Sequence, residues 1–158
     1  MRNLFRRCAA SGRLMVAANT RAKNRITMGV QGAIFDDQKR VLLVRHGYQS
    51  GWHFPGGGLE RREVAEVGLR RELIEEVGVV LLAAPRLFGI YTHFDRFPGD
   101  HIVLYVIDNW HQPTVPAPSF EIREQRFVAL GELPDDISPG TRRRIEEIIR
   151  GDVPAAAW

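Results

Sequence analysis

Between Gly57 and Val79 the chain reads GGLERREVAEVGLRRELIEEVGV, and the three glutamates near the end of this run constrain everything around them. Glu72, Glu75 and Glu76 stand at i, i+3 and i+4, which places three carboxylates on one face of a helix. Such a face repels itself unless a cation sits against it. Oxygen-only ligands on a rigid element suit a hard divalent ion, Mg2+ or Mn2+. The pattern predicts a helix from about Glu63 to Val77, closed by Gly78 as a left-handed cap. On a helical wheel Val67, Ile74 and Val77 fall opposite the glutamates and are expected to pack. Gly68, one turn before Glu72, leaves room beside the carboxylates.

Around this helix the chain alternates strand-like and turn-like stretches. Strands are expected at Ile26 to Phe35, Arg40 to Arg45, Val79 to Leu82, Leu87 to Thr92, His101 to Trp110 and Glu121 to Leu130, with Asp36 to Lys39 as a polar turn. Gly51 to Gly58 (GWHFPGGG) cannot be a helix interior and reads as a loop whose glycines admit close backbone approach. Trp52 and Phe54 bracket that loop, either to anchor it in the core or to stack on a base. His111 to Pro118 reads as a connector. Pro139 to Arg150 reads as a closing helix with Ile145, Ile148 and Ile149 as its packing stripe.

The spacing of the central run resembles the signature box of the Nudix hydrolases, G-x5-E-x7-R-E-U-x-E-E-x-G-U with U a bulky aliphatic residue. Gly57, Glu63, Arg71, Glu72, Leu73, Glu75, Glu76, Gly78 and Val79 fill all nine fixed positions. Helical glutamates at this spacing also occur on merely solvated faces; the glycine-rich loop at the fixed upstream distance favours a site. The resemblance implies an α/β fold, a mixed β-sheet sandwiched between α-helices. It implies Glu72, Glu75 and Glu76 as metal ligands together with the Gly57 carbonyl. Glu72 is then a ligand or general base held by Arg71, which in turn pairs with Glu63.

Relatives often use one more acid from outside the box. Glu121 is the preferred residue over Glu124 because it lies nearer the loop end of the strand, and a three-residue offset puts the two on opposite faces so that only one should point to the metals; Asp95 and Asp100 are weaker alternatives. Arg45, Phe54, Tyr91 and His93 are the expected substrate contacts. The implied reaction is hydrolysis of a diphosphate linkage in a nucleoside diphosphate joined to another moiety: a nucleotide sugar, ADP-ribose or a (d)NTP. No proline stands 15 or 16 residues after the box, where Phe94 and Asp95 occur, so the mark of many ADP-ribose hydrolases is missing. The alternative is a non-catalytic sensor on the same fold, against which the intact glutamates argue.

Composition bounds the rest. The chain has 158 residues, 44% of them hydrophobic and 26% charged, as expected of one globular domain. It holds no uninterrupted apolar run long enough for a transmembrane helix. One cysteine, Cys8, allows no intramolecular disulfide, which fits a reducing, cytoplasmic setting. Residues 1 to 35 hold six Arg, one Lys and no acid, whereas the remainder carries 15 basic and 19 acidic residues. The basic charge thus belongs to an N-terminal arm, residues 1–24, ahead of a hydrolase domain at 25–158. The arm reads as a solvated extension, a transit-like segment or an anion-binding strip. The expected partner is a small nucleotide; neither a membrane nor nucleic acid is expected, and a homodimer is left open.

Overall fold

The computed structural model describes residues 26–96 and 98–158. The basic arm lies outside them. Among the described residues nine strands and two α-helices follow in order: β1 (Thr27–Ile34), β2 (Val41–His46), β3 (Trp52–His53), β4 (Gly56–Gly58), α1 (Ala65–Val77), β5 (Val80–Leu81), β6 (Arg86–Thr92), β7 (Asp100–Ile107), β8 (Trp110–His111), β9 (Ile122–Val128) and α2 (Pro139–Arg150), with a 3-10 turn at Leu130–Glu132.

Two sheets carry the framework. The first has the order β4-β1-β7-β6, with β1 parallel to β7 and its other pairs antiparallel. The second is antiparallel, β3-β2-β9. The central strands are apolar on both faces, and successive side chains alternate between two cores. Val30 and Ile34 of β1, Leu42 and Val44 of β2, and Val103 and Ile107 of β7 pack with Leu69, Leu73 and Val77 of α1. Ala33, Val41, Leu43, Leu104 and Val106 point the other way and pack with Ile145 of α2, Trp52, Phe54 and Tyr91. The result is the expected sandwich of a mixed sheet layer between helices.

The edges of the elements differ in informative ways. The stretch Gly51 to Gly58, expected as loop, contains β3 and β4, and β4 pairs Gly56, Gly57 and Gly58 with Gln31, Val30 and Gly29. Helix α1 starts at Ala65 rather than Glu63, because the preceding residues are spent on a turn: Arg62 has φ 66°, and the Glu63 amide donates to the Glu60 carbonyl. Gly78 caps α1 at φ 69°, a conformation that favours glycine. The long strand expected at His101 to Trp110 breaks after Ile107 and resumes as β8.

The packing stripe of α1 is a correction. Val67 and Ile74 are 56% and 50% exposed, and the buried side chains are Leu69, Leu73, Glu76 and Val77. The glutamates therefore adjoin the core stripe instead of opposing it, because the site lies where the helix meets the sheet. Burial of Leu69, Leu73 and Val77 contributes roughly 1.5–3 kcal/mol each, which ties α1 to the sheet beside its charges. In α2, Ile145 is buried and Ile148 half-buried, while Ile149 faces solvent.

Candidate active site

Arg71 organises the acidic face of α1. Its Nε and Nη2 donate to the two oxygens of Glu63 at 2.9 and 2.8 Å, a two-pronged pairing that fixes the guanidinium plane. Its Nη1 then donates to Glu72 Oε1 at 2.7 Å and approaches Glu75 Oε2 at 3.4 Å. Pairing with Arg71 pulls the Glu63 carboxyl down to about 2. The room left by Gly68 is taken by Leu59 and by this Glu63 carboxylate, which a Cβ there would meet at 2.4 and 2.9 Å.

Gly57 of β4 lies flat against Glu72. A Cβ on Gly57 would come within 2.6 Å of the Glu72 carboxyl carbon and 2.7 Å of both its oxygens, so a larger residue would displace the carboxylate. The next backbone amide, that of Gly56, donates to Glu76 Oε2 at 2.8 Å. The glycine strand thus holds two glutamates from its own side. Glu76 is only 5% exposed, and burial, with repulsion from Glu72, Glu121 and Glu75, pushes its carboxyl up to about 8 against the pull of the Gly56 amide. Burial also raises Glu72, although Arg71 opposes the shift.

His46 at the end of β2 is a site residue the sequence did not disclose. Its Nδ1 is buried without a hydrogen-bond partner and stands 4.0 Å from Glu76 Oε1. Burial and the neighbouring His53 depress its pKa to about 4, so the ring is neutral near pH 7 and supplies no charge to Glu76. No local pattern could have singled it out, since its partner lies thirty residues away on another element.

A bulge lies between the two outer acids. Arg45 pairs with Glu124 and His46 with Ile122, so Arg123 is an extra residue in β9. The inserted residue cancels the alternation expected over three positions, and Glu121 and Glu124 fall on the same side. Both line a cleft with Glu75 and Glu76. The opposite-face reasoning therefore fails. Proximity still separates the two, because the charge of Glu121 acts on Glu72 and Glu76.

A cavity of about 460 Å3 opens beside the glycine strand, lined by Gly56, Gly57 and Gly58 together with His46, His93, Arg96, Arg143 and Trp158 among others. Of the expected substrate contacts, His93 lines it. Three do not. Phe54 is fully buried in the core, and Tyr91 is fully buried with its hydroxyl donating to Glu147 Oε2 at 3.1 Å. The Arg45 guanidinium lies 5.0 Å over the buried Trp52 ring and pairs with Asp136, outside the cavity. Phe54 and Tyr91 are turned inward and Arg45, at the surface, is turned onto Trp52, and strand order alone did not give the phase. Asp95 and Asp100 do line the cavity, Asp100 held by Thr27 at 2.7 Å and His93 at 3.2 Å.

The donor set suits a hard divalent cation. Four carboxylates, Glu72, Glu75, Glu76 and Glu121, are set against one arginine already shared with Glu63, and two of the four are pushed towards their protonated forms. Among the described residues no three potential ligands converge as tightly as bound ligands do. Glu72 is turned to Arg71 and Glu76 to the Gly56 amide.

The model of the NUDIX domain family matches residues 25–148, and the chain belongs to this family. Nudix enzymes generally use divalent metal ions. An 8-oxo-dGTP diphosphatase from Proteus vulgaris is 34% identical over 85 residues, 50% of this chain and 73% of its own length. An RNA pyrophosphohydrolase from Histophilus somni (strain 2336) is 30% identical over 99 residues, 63% of this chain and 42% of its own length. The chain spans less than half the length of most of the curated relatives it matches. The crystal structure of a MutT NUDIX hydrolase from Burkholderia pseudomallei superposes with a TM-score of 0.65 at 27% identity, over 79% of this chain and 99% of that one. No helix among the described residues is long and apolar enough to cross a membrane.

Proposed function

We propose that the chain hydrolyses a diphosphate linkage in a nucleoside diphosphate joined to another group, with Mg2+ or Mn2+ held by Glu72, Glu75, Glu76, the Gly57 carbonyl and Glu121. The observation that carries this reading is a buried carboxylate without a cationic partner, Glu76, held by the amide of Gly56, whose strand lines the cavity of about 460 Å3. A divalent cation held there supplies charge neutralisation for the diphosphate and acidity for water.

The chain's own residues do the rest. Arg71 holds Oε1 of Glu72, which leaves Oε2, without a hydrogen bond among the described residues, as the atom that takes a proton from the attacking water. Water adds at phosphorus, the anhydride oxygen leaves with its phosphate, and a monophosphate and a phosphorylated fragment result. Glu63 keeps Arg71 charged and oriented, and so keeps Glu72 pointed. Arg96 and Arg143 are the guanidinium groups of the cavity wall and favour an anionic ligand.

The decisive experiment is a screen of nucleotide sugars, ADP-ribose, dinucleoside polyphosphates and nucleoside triphosphates with and without Mg2+, products being weighed by mass spectrometry. Metal-dependent release of a monophosphate from one class is expected. Tight binding without turnover across the whole set would favour a sensor instead.

A further inference from the structure

The cavity has an aromatic wall that comes from the far end of the chain. Residues 153–158 run beside β6 in the same direction: Ala157 bridges to Thr92, the Thr92 amide donates to the Ala156 carbonyl at 2.9 Å, and the Trp158 amide donates to the Thr92 carbonyl at 2.9 Å. Helix α2 grips the same segment. Arg144 Nη1 donates to the Ala157 carbonyl and Arg143 Nη2 to Trp158 O, each at 2.6 Å. The Trp158 indole stands edge-on to Tyr91 at 5.4 Å and to Phe54 at 6.4 Å. Its pyrrole side lies on Gly140, where a Cβ would come within 2.3 Å of Nε1. The ring is thus fixed on several sides, half-buried, and turned in part to the cavity.

We propose that Trp158 is the surface on which the nucleobase of the substrate rests, a deepening of the hydrolase reading that assigns the base to the tail segment and the diphosphate to the glutamate helix. Three observations carry it. The indole is held in place before any ligand arrives, so ordering it on binding costs little. A planar ring is the ligand chemistry that an aromatic wall in a wet cavity favours, and stacking of this kind tolerates any base. Gln31, in the wall of the same cavity, has a buried Oε1 without a hydrogen-bond partner, which an N–H at the edge of such a ring would satisfy. Tyr48 is the competing aromatic, but its ring lies 5.1 Å from that of His46, which itself stands 4.0 Å from Glu76, on the phosphate side.

The test uses the full chain with Mg2+ and four probes, ADP, GDP, CDP and UDP, compared with ribose 5-diphosphate. At least one nucleotide is expected to quench the tryptophan fluorescence, and Trp158→Phe is expected to abolish the quench while keeping calorimetric affinity within about threefold. Trp158→Ala should weaken that nucleotide about tenfold and leave ribose 5-diphosphate within twofold. If Trp158→Ala unfolds the protein, the Trp158→Phe fluorescence decides alone. The proposal is overturned if no nucleotide quenches, if the quench survives Trp158→Phe, or if Trp158→Ala weakens both ligand types equally. Quenching that depends on Trp158 in a protein that turns over nothing would support the assignment of the base and sink the hydrolase reading.

Discussion

Two clusters of buried charge lie on opposite faces of the sheet layer, and they are built on opposite principles. Behind α2, Arg144 is 1% exposed and both its terminal nitrogens are engaged, Nε alone lacking a partner: Nη2 meets Glu147 Oε1 at 2.7 Å, Nη1 meets the Ala157 carbonyl, and the guanidinium lies 4.4 Å over the Tyr91 ring, whose hydroxyl also reaches Glu147. One cation faces one anion. Beside α1, five glutamates gather around one arginine, which meets three of them. A cluster that balances itself is scaffold; a cluster left with excess charge is prepared for something the chain does not contain.

Breaking the balanced cluster is expected to give the largest effect. Arg144→Ala leaves Glu147 without its partner and the tail without its grip, and should cost about 3–5 kcal/mol of stability in chemical denaturation. A loss under about 1 kcal/mol would mean that the pair contributes nothing net. In the unbalanced cluster the expected loss is catalytic. Glu76→Gln should keep the fold and lower kcat at saturating Mg2+ by 10²-fold or more, at least about 2.7 kcal/mol of transition-state stabilisation. Near wild-type turnover would remove Glu76 from the metal site.

The pH dependence of the metal-free protein sharpens the same contrast. Glu76 is raised to about 8 in the fold, so its protonated form is favoured and the stability it contributes is lost as pH rises towards 8. His46, depressed to about 4, acts in the reverse sense, its contribution being lost only as pH falls below the ordinary histidine value. Between pH 6.5 and 8, then, metal-free stability should fall with pH, by at most about 1.4 kcal/mol per pH unit for one proton. Mg2+ should flatten the slope, and Glu76→Gln should abolish it. A slope unchanged in Glu76→Gln would show that another group titrates.

The smallest effects separate the outer acids. Glu121→Gln should lower kcat about tenfold with little change in stability, whereas Glu124→Gln should leave stability within about 0.5 kcal/mol and kcat unaltered. The reverse outcome would move the role to Glu124, which the shared side of the strand permits.

What the sequence disclosed follows the range of the interactions concerned. Local periodicity gave the strands, the closing helix and the cap at Gly78, because each is set by neighbours within a turn or a strand, whereas the sandwich was implied by the resemblance of the box. The box residues were legible for the same reason: Glu63, Arg71, Glu72, Glu75 and Glu76 lie within four turns of chain, and the geometry brings them together. Phe54, Tyr91 and Arg45 were misplaced because strand residues give period without phase, and phase is set by the sheet's two cores. His46 and Trp158 escaped notice because each meets its partners across long stretches of sequence. Val67 and Ile74 misled because a face opposite charges was read as a face toward the core, whereas here charge and core share one side.

The extra residue in β9 acts as a change of parity. Every side chain before Arg123 is turned to the side that strict alternation from Glu124 would deny it, while every side chain after it keeps its place. Removing Arg123 alone would restore the regular beat of the strand, and Ile122 would still face His46 and Glu124 still face Arg45, so neither outer acid would change sides. The bulge is in this sense a spare beat: the strand can lose it and keep the pairing on either side, at the cost of one positive charge beside the acidic cleft.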